Sequence, residues 1–161
     1  MEQSEAVKNY LTKLSINFKI HKHPAVYTVE EADKYNKDVK GIHSKNLFLK
    51  NEKGKRFFLV ILPGNKRLDF KQIENLLNEK LKFANGNDLQ EKLKITTGAV
   101  SPFALIGNSG VELVIDKEVW ESDFVSFHPC VNTETLELKG EDFKRFVGRL
   151  RNKILVIEIQ N

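Results

Sequence analysis

Three places in this chain carry residue types that could act on an anion or an oxyanion. The first is Lys45-Asn46, at the head of the strand-like run Ser44–Lys50. Side chains alternate faces along a strand, so Lys45 shares a face with Leu47 and Leu49 and turns toward a covered surface. A long cation turned inward is costly unless it meets an anionic or polar partner. The second is Gly98-Ala99-Val100-Ser101-Pro102, a flexible and a rigid residue separated by small ones. Such a loop exposes backbone N–H groups to an anion or an oxyanion. The third is Phe127-His128-Pro129-Cys130-Val131-Asn132, which sets an imidazole beside a rigid turn. Taken alone, the loop resembles many Gly- and Pro-containing loops, and His128 reads as a hydrogen-bonded structural histidine.

Other chemistries fit less well. His21 and His23 would share a strand face, but no cysteine or carboxylate cluster completes a zinc set. Cys130 lies two residues from His128, whereas catalytic Cys–His pairs meet across a fold, so Cys130 reads as buried and structural. There is no Gly-x-Gly-x-x-Gly and no Walker loop, and Gly107–Gly110 reads as a turn without a phosphate role.

Composition sets the frame. The 161 residues fit one domain, with 40% apolar residues and eleven Phe to fill a core. Charged residues at 30%, no apolar run of membrane-span length, and a polar, acidic start from Met1 to Glu5 point to a cytoplasmic protein without a signal peptide. The single cysteine excludes an internal disulfide and suits a reducing compartment. A net charge of +4 is a mild bias toward polyanions, short of a dedicated DNA binder. Basic clusters at 80–82, 92–94 and 144–151 read as solvated helix faces that would together suit a phosphate backbone.

The elements that must position these residues follow from periodicity. A helix is expected over 4–14, capped by Ser4, then a strand over 17–21. Thr28 and Glu31 form a capping box that opens a helix to about Lys37. The runs 47–50 and 56–62, joined by Asn51–Gly54, predict an antiparallel hairpin. Its second strand is apolar on both faces and therefore central. Asp69 and Gln72 box a helix to about Leu81, and Asn87 begins another ending near Lys94. Strands are expected at 111–115, 123–127, 135–138 and 154–159, with a helix over 141–150 between the last two. The fold class is α+β: a mixed, mostly antiparallel, barrel-like sheet surrounded by helices.

In order and spacing, Lys45-Asn46, Gly98-x-x-x-Pro102 and His128-Pro129-x-x-Asn132-Thr133-x-Thr135-Leu136 resemble the YbaK/ProX superfamily of stand-alone prolyl-tRNA editing proteins. These are similar to the editing insertion domain of bacterial prolyl-tRNA synthetases. The likeness runs over nearly the whole chain and includes His23–Glu31 and the hairpin 45–62. It implies one editing domain over 1–161 that hydrolyses the ester of alanine on the 3′ end of tRNA(Pro) while sparing proline. Cys130 departs from the pattern, at a position outside the motifs.

The resemblance implies Lys45, Asn46 and His128 as catalytic residues. Lys45 would meet the developing negative charge or the terminal phosphate and ribose, and Asn46 would orient substrate or water. His128 would anchor substrate or water, with general base as the other role. Tyr27, Thr28, Gly98, Ala99, Val100, Ser101, Pro102 and Asn132 would bind substrate. No metal or cofactor is implied. The implied partner is tRNA(Pro) carrying a small amino acid, with prolyl-tRNA synthetase as a further partner, no membrane, no DNA, and a monomer as default. The open alternatives are cysteinyl-tRNA(Pro) or a broader set of esters, and a tRNA-binding module without catalysis. Lys45 and Asn46 alternate faces, so both reach one pocket only near a strand end or a bulge.

Overall fold

A computed structural model describes residues 2–160. Helices α1 (Gln3–Lys13), α2 (Val29–Tyr35), α3 (Phe70–Leu77), α4 (Gly86–Leu93), α5 (Lys117–Trp120) and α6 (Gly140–Gly148) alternate with eight strands. These are β1 (Lys19–Lys22), β2 (Ser44–Asn51), β3 (Phe57–Pro63), β4 (Leu81–Phe83), β5 (Val111–Asp116), β6 (Phe124–Phe127), β7 (Glu134–Lys139) and β8 (Ile154–Ile157). The strands make two sheets, β4-β2-β3-β5-β8 and β1-β7-β6. The fold is thus α+β as expected, but the sheet is divided in two and closes no barrel. Antiparallel pairing dominates; β5 runs parallel to both β3 and β8.

The centre of the molecule is β3, whose residues are all buried. Its period-two alternation feeds two cores. Phe57, Leu59 and Ile61 pack with Val125, Phe127, Leu136 and Leu138 of the smaller sheet and with residues of α1, α4 and α6. Phe58, Val60 and Leu62 pack with Ile73 of α3 and with Ile159. A strand covered on both sides must be apolar throughout, which is why this run lacks polar alternation.

Several elements differ from expectation for local reasons. Ser4 does not cap α1; its hydroxyl donates to Glu134 at 2.7 Å, tying α1 to β7. Thr28 caps α2 by accepting from Glu31 N, but the Glu31 carboxylate turns back to Tyr27 N, not to Thr28. Helix α3 stops at Leu77 because Asn78 adopts a left-handed conformation (φ +54°), and Leu81–Phe83 instead extends the sheet beside β2. Helix α4 starts earlier than expected, boxed by Asn85 and Asp88. The short helix α5, capped by Asp116, carries too few residues for a periodic signal. Among the described residues, no helix is long and apolar enough to cross a membrane.

Candidate functional site

Where β2 begins, a cavity of about 350 Å³ opens between the two sheets. Residues 44–48 of β2 form one wall, and Ser126, Phe127 and Thr135 of the smaller sheet, with His128 just past the end of β6, form the opposite one. Helix α2 contributes Ala32, Asp33 and the following Asn36; Gly98 and Val100 close a third side, with Tyr27, Thr28 and Phe83 also lining it. Lys45, Asn46, Gly98, Val100, His128, Tyr27 and Thr28 therefore meet, although the sequence scatters them over a hundred positions.

Lys45 pairs with Leu62 and Asn46 with Ile61 in an unbroken ladder, so the two side chains leave opposite faces. No bulge reconciles them. Both line the cavity because it opens at the strand end, one residue beyond Ser44. Lys45 is half-buried, not fully enclosed. Among the described residues it has no ion-pair or hydrogen-bond partner. On the same strand, Lys50 is held by Asp88 at 2.6 Å. A cation left open at a cavity wall is available to an incoming anion.

His128 is oriented by its backbone surroundings. Its Nδ1 lies 2.8 Å from the Glu134 carbonyl, which can only accept, so Nδ1 carries the proton and the neutral ring keeps a lone pair on Nε2. Burial pushes the His128 pKa below the ordinary histidine range, opposed by that carbonyl and reinforced by nearby His23. The His23 ring sits edge-on at 5.8 Å and accepts from or donates to Thr135 Oγ1 at 2.8 Å. The Glu134 carboxylate is itself fixed by Ser4 and Lys8 of α1. Helix α1 thus steadies the turn that presents His128.

Three buried side-chain polar atoms have no partner among the described residues: Asn36 Oδ1, Ser44 Oγ and Asn46 Oδ1. All three belong to residues that line this cavity. Each such atom costs about 1–3 kcal/mol if nothing meets it, so their convergence marks a place where water or a ligand can supply the missing hydrogen bonds. Asn36 and Ser44 carry no signal in the sequence. Asn36 reads as the end of a helix, and its burial to 7% exposure arises from tertiary packing.

The loop 98–102 is divided. Gly98 (φ +90°) and Val100 line the cavity; Ala99, Ser101 and Pro102 turn into the core and do not. The Ala99 N–H already donates to the Thr96 carbonyl, and Ser101, whose hydroxyl accepts from Phe103 N, is fully buried away from the cavity, so neither meets an oxyanion there. A Cβ at Gly98 would stand 3.0 Å from Val26 O and from the Tyr27 ring, and 3.2 Å from Asn132 Nδ2. Asn132 does not line the cavity. Its amide donates to Val26 O at 3.0 Å, pinning the Val26-Tyr27 segment over Gly98. The Thr28 hydroxyl is engaged as the α2 cap, and Tyr27 lies 64% exposed at the rim.

A larger cavity of about 620 Å³ lies elsewhere, between α1, the end of α4 and residues 103–111. It contains none of the expected site residues. Its Gln3 and Asn108 amides already bond the Lys94 and Lys92 carbonyls. Cys130 lies on its wall, its thiol pushed up to about 12 by burial, which leaves it unreactive as a nucleophile.

Comparison with known proteins bears on family and fold. The family described as aminoacyl-tRNA editing domain matches residues 23–146. The prolyl-tRNA editing protein ProX of Acetoanaerobium sticklandii is 35% identical over 162 residues, covering 99% of each chain. A prolyl-tRNA synthetase associated domain-containing protein of Bos taurus is 36% identical over 152 residues, covering 91% of this chain and 89% of its own. Among solved structures, a candidate trans-editing enzyme for prolyl-tRNA synthetase superposes with a TM-score of 0.77 at 20% identity, over 100% of this chain and 98% of that one. At that identity the structural likeness speaks for the fold alone. From the sequence matches, this chain belongs to the aminoacyl-tRNA editing domain family.

Proposed function

We propose that this protein is an aminoacyl-tRNA deacylase acting in trans, which hydrolyses the ester of tRNA(Pro) mischarged with alanine and leaves prolyl-tRNA(Pro) intact. The observation that carries this reading is the unpartnered Lys45 in a cavity that also holds His128 and three unsatisfied polar atoms. An aminoacyl ester is already activated, so the site needs to orient water, stabilise a negative tetrahedral oxygen and exclude the wrong side chain. Lys45 meets the developing oxyanion or the terminal phosphate. His128, neutral near pH 7, holds the attacking water through Nε2 or accepts its proton. The acyl carbon–ribose oxygen bond then breaks, and the ribose oxygen takes a proton.

The sieve follows from size. A synthetase pocket built for proline rejects the smaller alanine poorly, since a lost methylene is worth only about 1–3 kcal/mol. A second, smaller cavity that destroys whatever fits corrects the error. Single-turnover deacylation of Ala-, Cys- and Pro-tRNA(Pro) tests this. Hydrolysis of the alanyl ester with the prolyl ester intact is expected. Faster loss of the cysteinyl ester would reassign the substrate, and stability of all three would leave a tRNA-binding module.

A further inference from the structure

We infer that Asn36, together with Asn46, receives the α-ammonium group of the aminoacyl ester, an inference that rests on the editing reading above. Both side-chain oxygens are buried and meet no donor among the described residues, and both residues line the cavity. An acceptor without a donor calls for a ligand that brings N–H or O–H groups. The alanyl group has one such donor, its ammonium; its side chain is a methyl. Asp33 is the one carboxylate lining the cavity. It already accepts from His43 Nδ1 at 3.0 Å, and its side chain is 51% exposed. Neutral oxygens therefore take the ammonium, and no carboxylate is held against Lys45. The ester end and the ammonium end of the substrate then meet different chemistry: a cation and an imidazole for the first, carboxamide oxygens for the second. Asn36 sits just past the last residue of α2 with an ordinary backbone (φ −105°), so an apolar residue of similar size fits there without strain.

The test pairs variants with two esters. Propionyl-tRNA(Pro) is the alanyl ester without its amino group. Wild type is expected to hydrolyse the alanyl ester at least about tenfold faster than the propionyl ester, the worth of a hydrogen bond to a charged group. Asn36→Leu should fold normally by circular dichroism, lose that preference by slowing only the alanyl ester, and hydrolyse the propionyl ester as wild type does. Asn36→Asp, which keeps an acceptor, should keep the preference. Equal slowing of both esters by Asn36→Leu, no slowing of either, or loss of the preference in Asp33→Asn instead would overturn the assignment. Wild type hydrolysing both esters alike would sink this inference and leave the editing reading standing. Wild type hydrolysing neither would remove the editing reading and this inference together.

Discussion

The two cavities described above differ less in size than in how completely their buried polar side chains are matched. The larger one, about 620 Å³, is rimmed by Gln3 and Asn108 amides that close the end of α4. The smaller one, about 350 Å³, holds all three of the unpartnered buried side-chain oxygens among the described residues. Volume alone would favour the larger. Unsatisfied hydrogen-bonding capacity favours the one where Lys45, Asn46 and His128 meet, because a fold keeps such groups only where something outside the protein completes them.

The contrast between matched and unmatched groups can be broken by substitution. The largest effect should fall on stability and come from a matched lysine. Lys66 pairs at 2.9 Å with Asp116, whose side chain is fully buried. Lys66→Met strands that carboxylate and should lower stability by about 3–5 kcal/mol in urea unfolding. A loss under 1 kcal/mol would mean that the buried pair is not what secures this end of β5.

Lys45→Ala should do the opposite. With no partner to orphan, the urea midpoint stays at the wild-type value, while kcat/KM on Ala-tRNA(Pro) falls by about 10²–10³. Unfolding at lower urea with activity retained would return Lys45 to the scaffold.

His128→Ala should slow deacylation by about a hundredfold. The acid limb of the wild-type pH–rate profile should lie below 6.5, because burial holds the ring neutral there. The same shift has a stability consequence. Between the depressed folded value and the ordinary one, the unfolded chain binds the proton more readily, so the fold loses stability as pH falls through that window. An acid limb at or above 6.5 would assign the profile to another group.

Gly98→Ala is the mildest of the four. A side chain at φ +90° costs about 1–2 kcal/mol, and its Cβ presses on Val26 O and Tyr27. Thermal unfolding should record that loss, with a modest rise in KM as the rim segment shifts. An unchanged melting temperature would show that the 26–27 segment yields freely.

How much of this was legible beforehand depended on whether a residue's role is local. The run 57–62 announced itself as a central strand because burial on both faces leaves a continuous apolar signature. The Thr28 and Asp69 caps were readable because a cap acts within three residues. The end of α3 was not: Ile73, Leu76, Leu77 and Leu81 continue a helical period, and only the left-handed turn at Asn78 moves Leu81 into a strand. In the site, Lys45 stood out because strand alternation turns it inward. Asn36 and Ser44 did not, since being left without a partner depends on every neighbour that packs around them. The 98–102 loop shows the same limit. Its flexibility was visible, but which of its residues face the cavity is fixed by Ser101 bonding Phe103 N and by Asn132 holding Val26.

The most direct test of the central claim is to ask which cavity takes the aminoacyl end. A non-hydrolysable alanyl-adenosine, with an amide in place of the ester, can be titrated into isotope-labelled protein and followed by amide NMR shifts. Saturable shifts are expected at Asn36, Ser44, Asn46, Gly98, Val100 and His128, with residues 103–111 unmoved. Shifts centred on 103–111 and the end of α4, with the β2 head silent, would contradict it.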